Sequence, residues 1–366
     1  MLVARRSLIA SALALPACAP TARVPVAQAR DCLPPVRAEM GRVIRTVAGL
    51  RPYRPSGFVV RADALAGKRL VHNYGHGGGG ITLSWGTSRL AIGLGLPGHR
   101  GGVAVIGAGA VGLATARLAQ EAGFAVTLYA KALPPETTSN IAGGQIVPTS
   151  VFDEGRVTPA WFDQYRAAMD YSWRRFQIMV GDDYGIHWLP TWQPARRARG
   201  GDDPEAFLTA YQPGMTELAA GRHPFGARGM IRFNTMYVET GRYLSRMIAD
   251  FQRAGGRIVI RDFASPADVA ALPEGLVFNC TGLGAHHLFG DADLMPVRGQ
   301  LAVLLPQPEL QHAYAGPWGY MFPRADGVVL GGTFERGQWD AMPQPRDIAG
   351  IVADHAQLAS TWRCAT

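Results

Sequence analysis

Residues 103–129 constrain this 366-residue chain more than any other stretch. Val103 to Ile106 is an apolar run of strand length, Gly107-Ala108-Gly109-Ala110-Val111-Gly112 follows, Val111 to Ala122 has helical spacing, and Phe124 to Tyr129 reads as a second strand. That order predicts a Rossmann-type β-α-β unit, because each glycine has a task in it. Gly107 permits the tight turn, Gly109 lets a pyrophosphate approach the backbone, and Gly112 lets helix and strand pack closely, with the phosphates at the helix N-terminus. Such a fingerprint usually opens a nucleotide-binding chain; here it sits about a hundred residues in.

The first thirty residues belong to a different problem. Arg5-Arg6-Ser7-Leu8-Ile9 is a twin-arginine pattern, and the apolar run Leu8 to Ala17 behind it is too short to span a membrane, so the segment reads as an export signal. A twin-arginine route carries proteins already folded around a cofactor. Leu15-Pro16-Ala17-Cys18 resembles a lipobox, which would make Cys18 a lipid-bearing first residue; the other outcome is a soluble periplasmic protein cut after Ala17 or Ala19. The rest of the chain suits two intimately built domains. Net charge is +8, nearly all from arginine, since Lys68 and Lys131 are the only lysines. Apart from Arg196-Arg197-Ala198-Arg199 those arginines are scattered and not interleaved with aromatics, which argues against nucleic acid as a partner.

Beyond the signal, Val43 to Val47, Ser56 to Arg61 and Leu70 to Tyr74 read as strands and Ile81 to Leu94 as a helix, with Leu96 to Gly102 a turn-forming spacer. Further on, Trp161 to Met179 and Gly241 to Ala254 have helical spacing. Ile186 to Trp192, Met230 to Val238 and Arg257 to Arg261 read as strands, and another helix begins near Arg346.

Ahead of the fingerprint stand Gly49-Leu50-Arg51-Pro52-Tyr53-Arg54-Pro55 and His72-Asn73-Tyr74-Gly75-His76-Gly77-Gly78-Gly79-Gly80. Behind it come Pro134-Pro135-Glu136-Thr137-Thr138-Ser139-Asn140-Ile141-Ala142-Gly143-Gly144, Val277 to Gly282, Met295 to Gln300 and Leu330 to Trp339. The first two stretches resemble the end of a D-amino-acid oxidase; the later ones resemble its beginning and middle. The chain is thus similar to a circularly permuted member of that FAD-dependent family, over most of residues 41–355. The resemblance implies an α/β fold: a Rossmann-type FAD domain with an α+β substrate domain built on an antiparallel sheet. The expected segments are 1–30 signal and linker, 31–97 completing both domains, 98–150 the β-α-β unit and cofactor loop, 151–245 mainly substrate domain, 246–300 the FAD-domain return, and 301–366 substrate-domain strands and a final helix. Because permutation joins old ends and opens new ones, residues 33–41 are expected near residues 355–366.

The resemblance also implies roles. Arg51 takes the position of the family's substrate-carboxylate clamp, which suits a guanidinium whose forked donors match both oxygens; Arg54 is expected to be structural. Tyr320 matches an active-site tyrosine that shares the carboxylate, and Gly78 the residue whose carbonyl accepts a hydrogen bond from the substrate amine. The family's second pocket tyrosine corresponds to Gly316, and Tyr314 is a candidate replacement from a shifted loop. FAD would be held by Gly107, Gly109, Ala110, Val111, Gly112, Thr137, Thr138, Ser139, Gly143, Gly144, Gln145, Phe263, Gly77, Gly79, Gly80, Ile81 and Thr82. Lys131 stands where an acid usually binds the adenosine ribose. NADP-type phosphate recognition by Lys131 is therefore a second chemistry.

The implied reaction takes an amino acid and dioxygen to an imino acid and hydrogen peroxide. Orientation of Cα–H does the work, and no side-chain acid or base is demanded. Two other readings stay open: an envelope dehydrogenase passing electrons to a quinone or other carrier, and a non-catalytic exported binding protein. A metal at His72 and His76 is disfavoured, because their spacing needs a helix that the glycines oppose. Cys32 and Cys364 lie near the two mature ends and are expected to form either a bridge or two free thiols.

Overall fold

The computed structural model describes residues 33–195, 203–226 and 229–363. The export signal, Cys18, Cys32, Cys364 and Arg196 to Arg199 lie outside the described residues.

The first part of the chain forms β1 (Val43–Tyr53), β2 (Val59–Leu65), β3 (Lys68–Tyr74), α1 (Gly80–Gly95), β4 (Val103–Ile106), α2 (Ala110–Glu121), β5 (Val126–Ala130) and α3 (Thr138–Ile141). The middle forms α4 (Pro159–Gln177), β6 (Ile186–Pro194), β7 (Thr216–Leu218), β8 (Met230–Val238), α5 (Thr240–Arg253) and β9 (Arg257–Ile260). There follow α6 (Pro266–Ala270), β10 (Leu276–Asn279), α7 (Gly284–Phe289), β11 (Met295–Leu304), β12 (Ala313–Gly316), β13 (Gly319–Arg324), β14 (Gly327–Gly331), β15 (Glu335–Arg336) and α8 (Pro345–Ser360).

The smaller sheet has the order β2-β3-β10-β4-β5-β9, parallel from β3 to β9 with β2 antiparallel at one edge. Its central strands are short and largely apolar because both faces are covered. Strand alternation divides them cleanly. Val103 and Val105 face the core built with α1, α2 and α4, whereas Ala104 and Ile106 face a second core with Leu272, Val277 and Leu288. Thr158 caps α4, its hydroxyl accepting from Trp161 N at 3.2 Å, and Pro159 opens the first turn.

The larger sheet runs β1-β11-β14-β13-β12-β6-β8-β7, with β15 also on β11; its pairs are antiparallel except β6 with β12. Leu301, Val303, Phe322 and Val329 face one side, and Ala302, Leu304, Met321, Val328 and Leu330 face the other, where α8 covers them. The chain leaves the larger sheet at Tyr53 and enters the smaller one at Val59, so their junction is built from residues 53–59.

The two described ends meet. Val36 and Ala38 are buried with Ile348, Ile351, Val352 and Leu358 of α8, and the Trp362 indole donates to Leu33 O at 2.7 Å. Gln307 fixes this strap from below, accepting from Arg37 N at 3.0 Å and donating to Pro35 O at 2.9 Å.

Among the described residues five imidazoles are buried: His72, His76, His223, His312 and His355. Burial pushes His72, His312 and His355 down to about 4 and His76 down to about 3; the Arg61 charge adds to the shift at His72. Each stays neutral in the folded chain while its unfolded counterpart binds a proton below about pH 6.5. Stability is therefore full above that pH and falls as acid approaches the folded values. Four such protons give a slope on the order of several kcal/mol per pH unit near pH 5. Calorimetry is expected to show a flat Tm from pH 7 to 8.5 and a steep fall below pH 6; a Tm constant down to pH 4 would contradict these burials.

Candidate active site

In a mostly parallel sheet ligands bind beyond the carboxyl ends of the strands. Strands β3, β10 and β4 are neighbours, so the turn after β3 (Gly77–Gly79) and the turn after β4 (Gly107–Gly109) open on the same edge. Gly107 has φ +110°, and a side chain there would strike Cys280 O at 2.3 Å. A Cβ on Gly112 would stand 1.8 Å from Gly107 O, so helix and turn touch without room for a methyl. Gly109 is different: its Cβ would meet only Ser139 Oγ, at 3.1 Å. Ala110 N donates to that same hydroxyl at 3.0 Å, so the cofactor loop reaches the start of α2, and Val111 follows within its first turn. Thr137 and Thr138 open the short α3, the Thr137 hydroxyl donating to Asn140 Oδ1 at 2.8 Å. This is a cradle closed at Gly112, open at Gly109 and walled by Ser139, and it fits a pyrophosphate.

Lys131 is exposed just past β5, and Arg261 N donates to Ala130 O at 2.9 Å beside it. Phe263 packs edge-on against Tyr129 and under the Arg261 guanidinium, at 4.8 Å from its ring centre. Thr82 is buried on α1 next to Ile81, its hydroxyl donating to Gln145 O at 3.2 Å. The glycine run is itself helical, a 3-10 turn at 77–79 passing into α1 at Gly80. Residues 72–76 are not helical, as expected: the strand ends at Tyr74, Gly75 follows at φ +84°, and helix begins only beyond His76, where Gly77 turns at φ +56°. His72 instead lies on β3 and shares a hydrogen bond with Asn279 at 3.0 Å, and His76 shares one with Thr87 at 2.9 Å. Among the described residues no three metal-ligating side chains converge.

The larger sheet delivers the other half of the site. Arg51 pairs with Val297 in register, and its guanidinium lies across Gly299, where a Cβ would be only 2.3 Å from Nη2. Arg51 Nη1 donates to Thr333 O at 3.2 Å. Tyr320 rests on Gly331, where a Cβ would meet Cζ at 2.1 Å. Burial pushes the Tyr320 phenol up, and the adjacent Arg51 guanidinium pulls it back. Arg51 and Tyr320 thus converge from strands three places apart. Gly143 of the cofactor loop approaches Tyr320 and Phe322, and Gly144, at φ +91°, packs on Val238 O. Tyr53, two residues beyond Arg51, bridges to His76, which brings Gly77 and Gly78 beside the clamp strand. Of these glycines, Gly78 is the exposed one, with Gly77 and Gly79 buried around it.

Tyr314 does not take the place of the missing tyrosine at Gly316. It pairs with Met321, so it points to the face opposite Tyr320, where it is buried and shares a 2.7 Å hydrogen bond with His355. Arg54 is structural as expected, donating to Asp291 Oδ2 at 2.8 Å and to Gly57 O at 2.8 Å.

Motif reading missed the wall beside Arg51. Phe334 lies between two guanidiniums, Arg51 at 5.9 Å and Arg336 at 5.7 Å from its ring centre. Arg336 is held by Asp153, which also accepts from the Tyr53 hydroxyl at 2.5 Å. Alternation in Thr333-Phe334-Glu335-Arg336 was the available signal, because it puts Phe334 and Arg336 on one face.

Comparison with known proteins agrees with this geometry. The DAO family profile, described as FAD dependent oxidoreductase, matches residues 18–94 and 102–359. A D-amino-acid oxidase of Rubrobacter xylanophilus is 30% identical over 258 residues, covering 68% of this chain and 74% of that protein. The D-aspartate oxidase of Homo sapiens is 28% identical over 257 residues, covering 69% and 74%. Among solved structures, glycine oxidase from Geobacillus kaustophilus superposes with a TM-score of 0.55 at 18% identity, covering 73% of this chain and 81% of that one.

Proposed function

Because the chain belongs to the DAO family of FAD-dependent oxidoreductases, which act on amino acids, we propose that it oxidises a D-amino acid to an imino acid and reduces dioxygen to hydrogen peroxide. Water then converts the imino acid to an oxo acid and ammonia. The observation that carries this reading is the convergence of Arg51 and Tyr320 beside the Gly77–Gly79 turn, at the edge where the Gly107–Gly112 cradle opens.

FAD, when bound, supplies the acceptor for the hydride that leaves Cα. The chain's own groups bind and orient. The Arg51 guanidinium and the Tyr320 hydroxyl hold the two carboxylate oxygens. The Gly78 carbonyl accepts from the amine, which fixes the third direction about Cα. Orientation of this kind is worth orders of magnitude in rate without any group that moves a proton. The Ser139 hydroxyl and the first N–H groups of α2 would hold the pyrophosphate, with Gly109 leaving room for it. The start of α1 at Gly80, Ile81 and Thr82 offers backbone N–H groups and the positive end of the helix, which would stabilise negative charge on a bound flavin.

Two further features belong to this reading. A circularly permuted order is supported by the break in the family match at residues 95–101, from the last residue of α1 into the short link before β4, and by the strap at 33–38 lying on α8. Export through a twin-arginine signal, with or without a lipid at Cys18, would place the reaction in the cell envelope.

Peroxide release measured across matched D- and L-amino acids tests the proposal. Turnover with one or more D-amino acids and none with their L-forms is expected; peroxide from L-forms alone, or flavin reduction by D-forms without peroxide, would overturn it.

A further inference from the structure

The Arg51 guanidinium is positioned by a backbone carbonyl, that of Thr333. Packing does not fix that carbonyl: a cavity of about 340 Å³, lined by Trp318, Gly332, Thr333, Asp347 and Ile351, lies between this segment and α8. Two glycines, Gly331 and Gly332, precede Thr333 and add no side-chain contacts of their own. Hydrogen bonds therefore set its place: Arg298 and the β11–β15 pairing hold Glu335, and Gln300 ties the segment to α8.

Gln300 is fully buried on β11, and its backbone N–H and both ends of its side-chain amide bond within this region. Its backbone N donates to Thr333 Oγ1 at 3.1 Å. Its amide nitrogen donates to Glu335 Oε1 at 2.8 Å and to Asp347 Oδ2 at 2.6 Å, and its amide oxygen accepts from Gln344 N at 2.6 Å. The Thr333 hydroxyl in turn donates to Glu335 Oε1 at 2.5 Å. Burial pushes the Glu335 carboxyl up, but hydrogen bonds from Arg298, Thr333 and Gln300 outweigh it and bring it down to about 2, so the acceptor in this chain of bonds stays ionised. Gln300 thus joins the first turn of α8 to both residues that bracket Phe334.

We propose that Gln300 is a positioning residue for the carboxylate clamp: by tying α8 to the Thr333 segment it sets where the Arg51 guanidinium sits. This rests on the reading that Arg51 holds the substrate carboxylate. Gln300 makes no hydrogen bond to the Arg51 guanidinium or the Tyr320 hydroxyl, so its effect passes through Thr333. A loosened segment lets the guanidinium drift, which weakens carboxylate binding while leaving the chemistry of correctly bound substrate alone.

The test uses the FAD-loaded enzyme and four variants, Gln300→Met, Thr333→Val, Thr333→Ser and Arg51→Ala, with KM, kcat and the Kd of propionate read from the flavin spectrum. Gln300→Met and Thr333→Val are expected to raise KM and the propionate Kd about tenfold with kcat within about twofold of the parent, and Thr333→Ser to recover most of the loss. Should Gln300→Met not fold, the Thr333 pair decides alone. Unchanged KM and Kd in flavin-loaded Thr333→Val, or a fall in kcat at constant KM, would overturn the inference while a raised KM in Arg51→Ala leaves the clamp intact. A silent Arg51→Ala would overturn both.

Discussion

Arg51→Ala is expected to lower kcat/KM for amino-acid substrates by roughly thirtyfold to a few thousandfold, chiefly through KM, with flavin content unchanged. The guanidinium is half-buried, and its neighbours Tyr320, Gly299 and Thr333 supply no second cation to the same spot. Leaving a carboxylate unpaired in such a place costs about 2–5 kcal/mol, and each 1.4 kcal/mol is tenfold. Arg51→Lys should recover little, because a single ammonium cannot match two oxygens in one plane. Arg336 is too firmly engaged with Asp153 and Tyr53 to take over. Steady-state kinetics on both variants check this; parent-like KM in both would place the clamp elsewhere.

Gly109→Val should abolish FAD retention while leaving the fold in place. The nearest atom to its Cβ is Ser139 Oγ, a side chain that can turn aside, so the protein itself tolerates the added bulk; the pyrophosphate does not. A clash of about 3 kcal/mol corresponds to a loss of FAD affinity on the order of a hundredfold. Gly112→Val makes the contrasting case. Its Cβ would lie 1.8 Å from a backbone carbonyl that cannot move without breaking the turn, so fold and flavin are lost together. The flavin-to-protein absorbance ratio with far-ultraviolet dichroism separates the two. Full flavin in folded Gly109→Val would show that this turn does not hold the cofactor.

Those two predictions rest on features legible in the chain itself. Val103 to Ile106 and Val126 to Ala130 are apolar runs that burial on both faces makes necessary, and glycines at 107, 109 and 112 are demanded by contacts that a Cβ would close. The start of α2 drifted by one residue, whereas β1 runs to Tyr53, six residues past its expected end, and β2 covers Val59–Leu65 in place of residues 56–61. What escaped a motif reading is side-chain direction. Tyr314 and Tyr320 are both aromatic and six positions apart, yet the β12–β13 turn sends them to opposite faces, and only the register with Met321 shows it. Likewise Gln300 looks like any polar strand residue until Gln344, Asp347 and Glu335, 35 to 47 positions away, close around it. Long-range partners of this kind have no local spacing to betray them.

Anaerobic titration of the purified yellow protein with a D-amino acid addresses the proposed oxidation most directly. The account predicts that the oxidised flavin absorbance bleaches on addition of D-amino acid, stays intact with the L-form, and returns on admission of air with release of peroxide. A bound flavin that no D-amino acid can bleach would contradict it.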